Sequence, residues 1–183
     1  MSEDVWADLL NSDWHDHLGS GRREDRLENP AWRERFLESH GLDASGIPAG
    51  RLVPALRGLR GLMRRMADAY AARRTPAAAD WEALNAHLDR APLARRLTPP
   101  LRGSKPRLSY IPRAGRLEAL LGDVAYAFGA ALAEGEPSRI KICGNKDCLW
   151  VFYDRSRNSS RKWCEATCGN LMKVRRFRTR QRA

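Results

Sequence analysis

Cys143-Gly-Asn-Lys-Asp-Cys148 and, fifteen residues further on, Cys164-Glu-Ala-Thr-Cys168 with Gly169-Asn170 behind it form the stretch that decides the reading of this chain. All four cysteines of the 183 residues lie in it, in two pairs with four and three residues between partners. Such spacing lets two sulfurs converge on one ion, and four thiolates complete a tetrahedral shell for Zn²⁺. With four protein ligands no position stays open for water, so the expected zinc is structural rather than catalytic. The competing readings are an iron–sulfur cluster, two disulfides and four reduced buried thiols.

The surrounding composition favours metal. No run of about 18 apolar residues exists, so no membrane span is expected. The start, Met1-Ser-Glu-Asp-Val-Trp6, is acidic and lacks the basic and apolar parts of a signal peptide. A cytoplasmic protein is the expectation, and there thiols stay reduced. The net charge of +11 is uneven. Residues 138–183 hold 13 Lys/Arg against 3 Asp/Glu, whereas residues 1–137 hold 20 against 19. Four thiolates around one divalent ion lower the C-terminal balance to about +8. That asymmetry points to a polyanion partner for the C-terminal quarter, most plausibly nucleic acid, with a solubilising tail as the bland alternative.

Upstream, the chain reads as helices. The segment from Val5 to Trp14 reads as a short helix ending at a polar corner, followed by a loop at Gly19-Ser20-Gly21. Asn29-Pro30 opens a second helix that Gly41 closes. Leu52, Leu56, Leu59, Met63, Met66 and Tyr70 form an amphipathic stripe on a third. A fourth carries Trp81, Leu84 and Leu88, and a fifth carries Leu117, Leu120, Leu121, Val124, Phe128 and Leu132. Between the last two, prolines and glycine exclude a helix, and two short strands near 94–98 and 107–111 are expected. The fold class is therefore mainly α with a small β-hairpin, an α+β arrangement, with a boundary near Pro137. That gives a mostly helical unit over 1–137 and a zinc module over 138–183.

In the module, Gly144 and Asn145 permit a tight turn that returns Cys148 to Cys143. Leu149 to Tyr153 is a strand-like run whose Trp150, Phe152 and Tyr153 suit a mini-core better than base stacking. Cys164 and Cys168 stand one helical turn apart, where helix amides stabilise thiolates. Knuckle, strand and ligand-bearing helix make a treble-clef-like plan.

On the residues Arg139-Ile-Lys-Ile-Cys143, Asp147-Cys148-Leu-Trp150-Val-Phe152-Tyr-Asp154, Arg161-Lys-Trp163-Cys164, Cys168-Gly169-Asn170 and Lys173-Val-Arg175-Arg176, the module resembles the CGNR zinc-finger family. The upstream part, with its opening Asp8-Leu9-Leu10-Asn11-Ser12, is similar to the ABATE domain that accompanies it. The resemblance implies a bacterial transcription regulator. Leu171 stands where the family's name has Arg, so no DNA contact carries over to that position. Asn145-Lys146 replaces a common Asn-Pro, and the shared letters of Cys143-Gly-Asn145 and Cys168-Gly-Asn170 are taken as coincidence.

Zinc would order two elements too small to fold alone. One is a loop whose Arg155, Arg157, Asn158, Arg161 and Lys162 suit phosphate oxygens. The other is a helix from about Glu165, with Leu171, Val174 and Phe177 expected on its buried side. Lys173, Arg176 and Arg180 lie on one exposed stripe, and Arg175, Arg178 and Arg182 on another. Asn170 suits a base contact and a hydrogen bond within the helix equally well.

The expected activity is DNA-binding regulation, with double-stranded DNA as partner. RNA binding through the same module is the alternative. An enzyme sited in the N-terminal unit ranks below both, because no phosphate-binding glycine loop, nucleophile elbow or Cys–His pair occurs. Asp8, Asn11 and Trp14 are candidate liners of a small-molecule effector pocket. His15 and His17 read as ordinary surface. A homodimer, formed through one of the long apolar stripes, would match two half-sites.

Overall fold

The computed structural model describes residues 4–100, 103 and 105–181. Three helices make the core: α1 (Val5–Leu10), α3 (Ala49–Ala71) and α5 (Arg116–Ala133). α2 (Pro30–His40) and α4 (Ala78–Asp89) flank them. The stripes expected on α3 and α5 are core: Leu52, Leu56, Leu59, Met63 and Met66 face Leu120, Leu121, Val124 and Phe128, all buried. Trp6 of α1 closes the core against Phe128, ring centroids 5.4 Å apart. Each such side chain contributes about 1.5–3 kcal/mol by leaving water.

Helix ends follow the local chemistry. The Asn29 side chain accepts a hydrogen bond from the Trp32 amide at 3.2 Å, with Pro30 in the first turn. Gly41 ends α2 in the left-handed conformation, φ 64°.

Among the described residues, three antiparallel strand pairs complete the fold. β3 (Leu93–Thr98) and β4 (Arg107–Pro112) form the expected hairpin. Within its loop, Leu101, Arg102 and Ser104 lie outside the described residues, as does Arg182. A pair that the sequence reading treated as a polar corner and loop, β1 (Asp13–His15) with β2 (Arg23–Asp25), arises from tertiary contacts. The Arg60 guanidinium of α3 donates to Asp25 at 2.7 and 2.9 Å and to the Ser12 hydroxyl at 2.7 Å, and Arg57 donates to Asp25 at 2.6 Å.

The third pair, β5 (Ile140–Ile142) with β6 (Val151–Tyr153), belongs to the cysteine region yet packs on the helices. Ile140 and Val151 are fully buried within the core that α1, α3 and α5 build. Asn11, itself buried, hydrogen-bonds the free edge of β6. Its Nδ2 donates to the Val151 carbonyl and its Oδ1 accepts from the Val151 amide, each at 2.8 Å. One side-chain amide thus takes the place of a neighbouring strand. α6 (Ala166–Gln181) follows the last cysteine pair.

Two outcomes follow from these contacts. Asn11→Ala strands two buried backbone groups and should cost about 2–4 kcal/mol in denaturant unfolding, whereas a nearby exposed substitution such as Glu34→Ala should cost almost nothing. Burial alone would raise the Asp25 carboxyl, but the Arg60 and Arg57 guanidiniums outweigh it and hold it at about 2. A depressed folded value contributes stability above the unfolded carboxylate value near 4, which is lost as pH falls towards 2. The gap in stability between the native protein and Asp25→Asn should therefore narrow across that window. A gap that stays constant with pH would refute it.

Candidate metal centre

The four sulfurs are brought together from both halves of the module. All lie within 4.8 Å of one another. Cys148 and Cys168 each stand 3.7 Å from Cys164, sulfur to sulfur. A tetrahedral zinc with bonds of about 2.3 Å requires sulfur separations of about 3.8 Å. The donor set and spacing therefore fit one structural zinc ion held by Cys143, Cys148, Cys164 and Cys168. They also exclude disulfides in this arrangement, since a sulfur–sulfur bond needs about 2.05 Å.

The knuckle is tied by backbone. The Cys143 amide donates to the Trp150 carbonyl at 2.8 Å, and the Cys148 amide donates to the Asn145 carbonyl at 2.9 Å. Cys168 sits in the first turn of α6, where unpaired amides favour negative sulfur. Without a cation, the thiols compete for protons. Hydrogen bonds from Cys148 and Cys164 pull Cys143 far below the ordinary thiol range. Hydrogen bonding to Cys143 pushes Cys148 and Cys164 above it. A divalent ion removes that conflict by screening the four thiolates from one another.

Trp163 packs the centre from outside. A Cβ on Gly144 would lie 2.9 Å from its ring, and one on Gly169 would lie 3.0 Å from it. Both Cys-Gly-Asn runs therefore need their glycine for the same indole, which corrects the view that their likeness is coincidental. Their asparagines differ. Asn170 is exposed, whereas Asn145 is fully buried. The Asn145 Nδ2 donates to the His17 carbonyl at 2.8 Å, beside the Cys168 sulfur at 3.8 Å.

α6 presents a different inner side from the one expected. Val174 and Phe177 are 45% and 62% exposed, and the side towards the module is Cys168, Leu171, Met172 and Arg175. Cys168 must face the other sulfurs, and steps of three, four and seven residues put Leu171, Met172 and Arg175 on its side; Arg175 there donates to Asp147 at 2.5 Å and to the Leu18 carbonyl at 2.8 Å. Arg175 links helix, knuckle and the β1–β2 turn, while Val174 and Phe177 fall on the opposite side.

The loop after β6 is organised by Asp154, a fully buried carboxylate that sequence reasoning passed over. It accepts from the Lys141 ammonium at 2.6 Å, from the Ser156 hydroxyl and amide at 2.6 and 2.9 Å, and from the Arg161 amide at 2.9 Å. Burial opposes its charge, but these donors prevail and hold its carboxyl far below the usual range. Of the loop's basic residues, Arg155 pairs with Asp4 at 2.8 Å and lies over Tyr153, and Arg161 lies over Phe152 and donates to the Cys164 carbonyl. Arg157, Asn158 and Lys162 are exposed. On α6, Lys173, Arg176, Arg178 and Arg180 are exposed as well. A polar residue two or three positions before a Ser-rich turn is the signal that would have found Asp154.

Asp8 and Asn11 line a recess of about 250 Å³ with Trp32, Phe36, His40 and Trp150, whereas Trp14 does not. His40 Nε2 lies 2.9 Å from Asp8, and its Nδ1 is buried without a partner. His15 pairs with Asp13 at 3.5 Å.

Elemental analysis should find about one zinc per chain, and Gly144→Ala should lose it sooner to a chelator, at a cost of about 1–3 kcal/mol. Iron with visible absorbance would refute the assignment.

Two family models match the chain. Residues 3–135 match ABATE, described as "putative stress-induced transcription regulator", and residues 139–181 match the CGNR zinc finger. Neither description names an enzyme. Among curated proteins, none matches the chain. Among the described residues, no helix is long and apolar enough to cross a membrane. The ABATE match covers most of the chain, and the sulfur cluster lies inside the second match; the chain belongs to the ABATE family and carries a C-terminal CGNR zinc finger.

Proposed function

We propose that this protein is a non-catalytic, cytoplasmic bacterial regulator of transcription that binds double-stranded DNA through α6 and the loop before it. The observation that carries the proposal is the exposed face of α6. Asn170, the neighbours Lys173 and Val174, Phe177 and Arg180 recur one helical turn apart and are all exposed. A 16-residue helix is about 24 Å long and fits the major groove of B-DNA. Lysine and arginine suit phosphate or guanine, asparagine suits adenine, and an apolar side chain suits the thymine methyl. The deep, narrow major groove of A-form RNA does not admit such a helix, which favours DNA over RNA.

Arg157, Lys162 and Arg178 add positive charge at the rim, while Arg155 and Arg161 brace the loop. In this reading residues 1–137 serve as the sensing and assembly unit and residues 138–183 as the reader. The recess beside Asp8, His40 and Trp150 is the place for a small-molecule effector, because the same Asn11 that lines it holds β6. A homodimer would match two half-sites.

Fluorescence anisotropy against salt tests the reading. Six free cations, at Arg157, Lys162, Lys173, Arg176, Arg178 and Arg180, should contribute about −5 to the slope of log affinity on log salt. Replacing Lys173, Arg176 and Arg180 with Ala should flatten it by about 3. Arg175→Ala should leave the slope nearly unchanged and instead speed zinc loss. If structured RNA displaces the duplex at equal concentration, the DNA reading gives way to the RNA one.

A further inference from the structure

We propose that the β3–β4 ribbon is a second nucleic-acid contact, laid into a groove of the same duplex that α6 reads. The proposal rests on the duplex reading above but concerns a different part of the chain, in the ABATE region.

The charge balance of residues 1–137 conceals the ribbon. Residues 91–113 hold six Lys/Arg and no Asp/Glu, whereas the remainder of 1–137 holds 14 Lys/Arg against 19 Asp/Glu. An acidic body thus carries one strongly basic projection. That body offers carboxylates to several of its arginines: Arg23 pairs with Asp13, Arg57 and Arg60 with Asp25, Arg64 with Asp68, Arg65 with Asp80, Arg116 with Asp43. Among the described residues, Arg95, Arg96 and Arg107 are exposed and make no ion pair. With no carboxylate anywhere in residues 91–113, the ribbon has no counter-charge of its own, which points to an external anion.

One face of the ribbon is also apolar and uncovered. The register sets Arg95 opposite Tyr110 and Leu97 opposite Leu108. Side chains alternate along each strand, so Leu93, Leu97, Leu108 and Tyr110 share a face with Arg95. Their exposures are 53, 68, 55 and 59%. A two-stranded ribbon is marginal by itself, and a continuous apolar face on it is a surface that a partner covers.

Charge identifies the occupant. A second copy would set two arginine-rich ribbons against each other with no carboxylate between them. A duplex instead offers phosphates to the guanidiniums, and sugars and thymine methyls to the apolar residues. Two strands about 4.8 Å apart, with side chains, match a major groove about 12 Å wide.

The ribbon is rigidly rooted and stands apart from the finger. At its base Ala91 meets Gly122 of α5 so closely that a Cβ on Gly122 would lie 2.1 Å from that of Ala91. In the chain, β4 ends just before the first residue of α5 and the zinc module follows its last, with a helix about 27 Å long between them. That is comparable with one turn of B-DNA, about 34 Å, so two separate contacts on one duplex are within reach.

The test compares the zinc-loaded protein, Arg95→Ala/Arg96→Ala/Arg107→Ala and Lys173→Ala/Arg176→Ala/Arg180→Ala on a duplex of about three turns. Anisotropy against salt and hydroxyl-radical footprinting are read out, with zinc content, circular dichroism and sedimentation as controls. The ribbon variant should keep its zinc, helicity and sedimentation, bind about tenfold or more weaker, flatten the salt slope by about 2–3, and lose protection on one side of the footprint. Unchanged slope and footprint in the ribbon variant, with binding lost in the finger variant, would overturn the ribbon contact and leave the regulator reading intact. A native protein that ignores duplex DNA overturns both. A ribbon variant that turns a dimer into a monomer makes this face an interface between copies and overturns the proposal.

Discussion

Four cysteine sulfurs confined within 4.8 Å cannot all be thiolates unless a cation stands among them. Without one, each ionisation raises the cost of the next, and the geometry is that of a repulsive cluster. With a divalent ion the same geometry becomes the tightest point in the C-terminal part of the chain. Knuckle, loop and α6 then hold one another at fixed distances, although none has enough apolar surface to fold alone. Trp163, seated against Gly144 and Gly169, converts that ionic constraint into packing.

Rigidity at the ion reaches the helices by two routes. Ile140 and Val151 lie in the helical core, so β5 and β6 contribute hydrophobic burial to the body that supports them. Polar contacts supply direction. Asn11 fixes the edge of β6, Arg64 donates to the Leu149 carbonyl at 3.2 Å, and Asn145 and Arg175 hold the turn after β1. The recess lined by Asp8, His40 and Trp150 lies on this seam. Asn11 lines that recess and is bonded to β6 at the same time.

Much of this was legible in the residues, and the failures are instructive. Helix caps such as Asn29-Pro30 and Gly41 act within a few bonds, so they were readable directly. The α3 and α5 stripes were readable because burial repeats with the helix period. The hairpin at 93–98 and 107–112 followed from prolines and glycine that forbid a helix. By contrast, β1 and β2 form because Arg57 and Arg60, more than thirty residues away, gather Asp25. The inner side of α6 was assigned to Leu171, Val174 and Phe177 on hydrophobicity alone. The side is set instead by Cys168, whose sulfur must reach the cluster and which brings Leu171, Met172 and Arg175 with it by the helical period.

From the order of residues came the metal, because ligand spacing is a local property and sulfur has few other uses in such an arrangement. From it also came the helical class, since periodicity needs no knowledge of partners. Which arginines are free and which are structural was decided only by the tertiary structure. Arg175 and Arg176 are neighbours of the same type, yet one braces the knuckle and the other faces solvent. A guanidinium's role is set by what lies within hydrogen-bond reach, and distance in space does not follow distance along the chain.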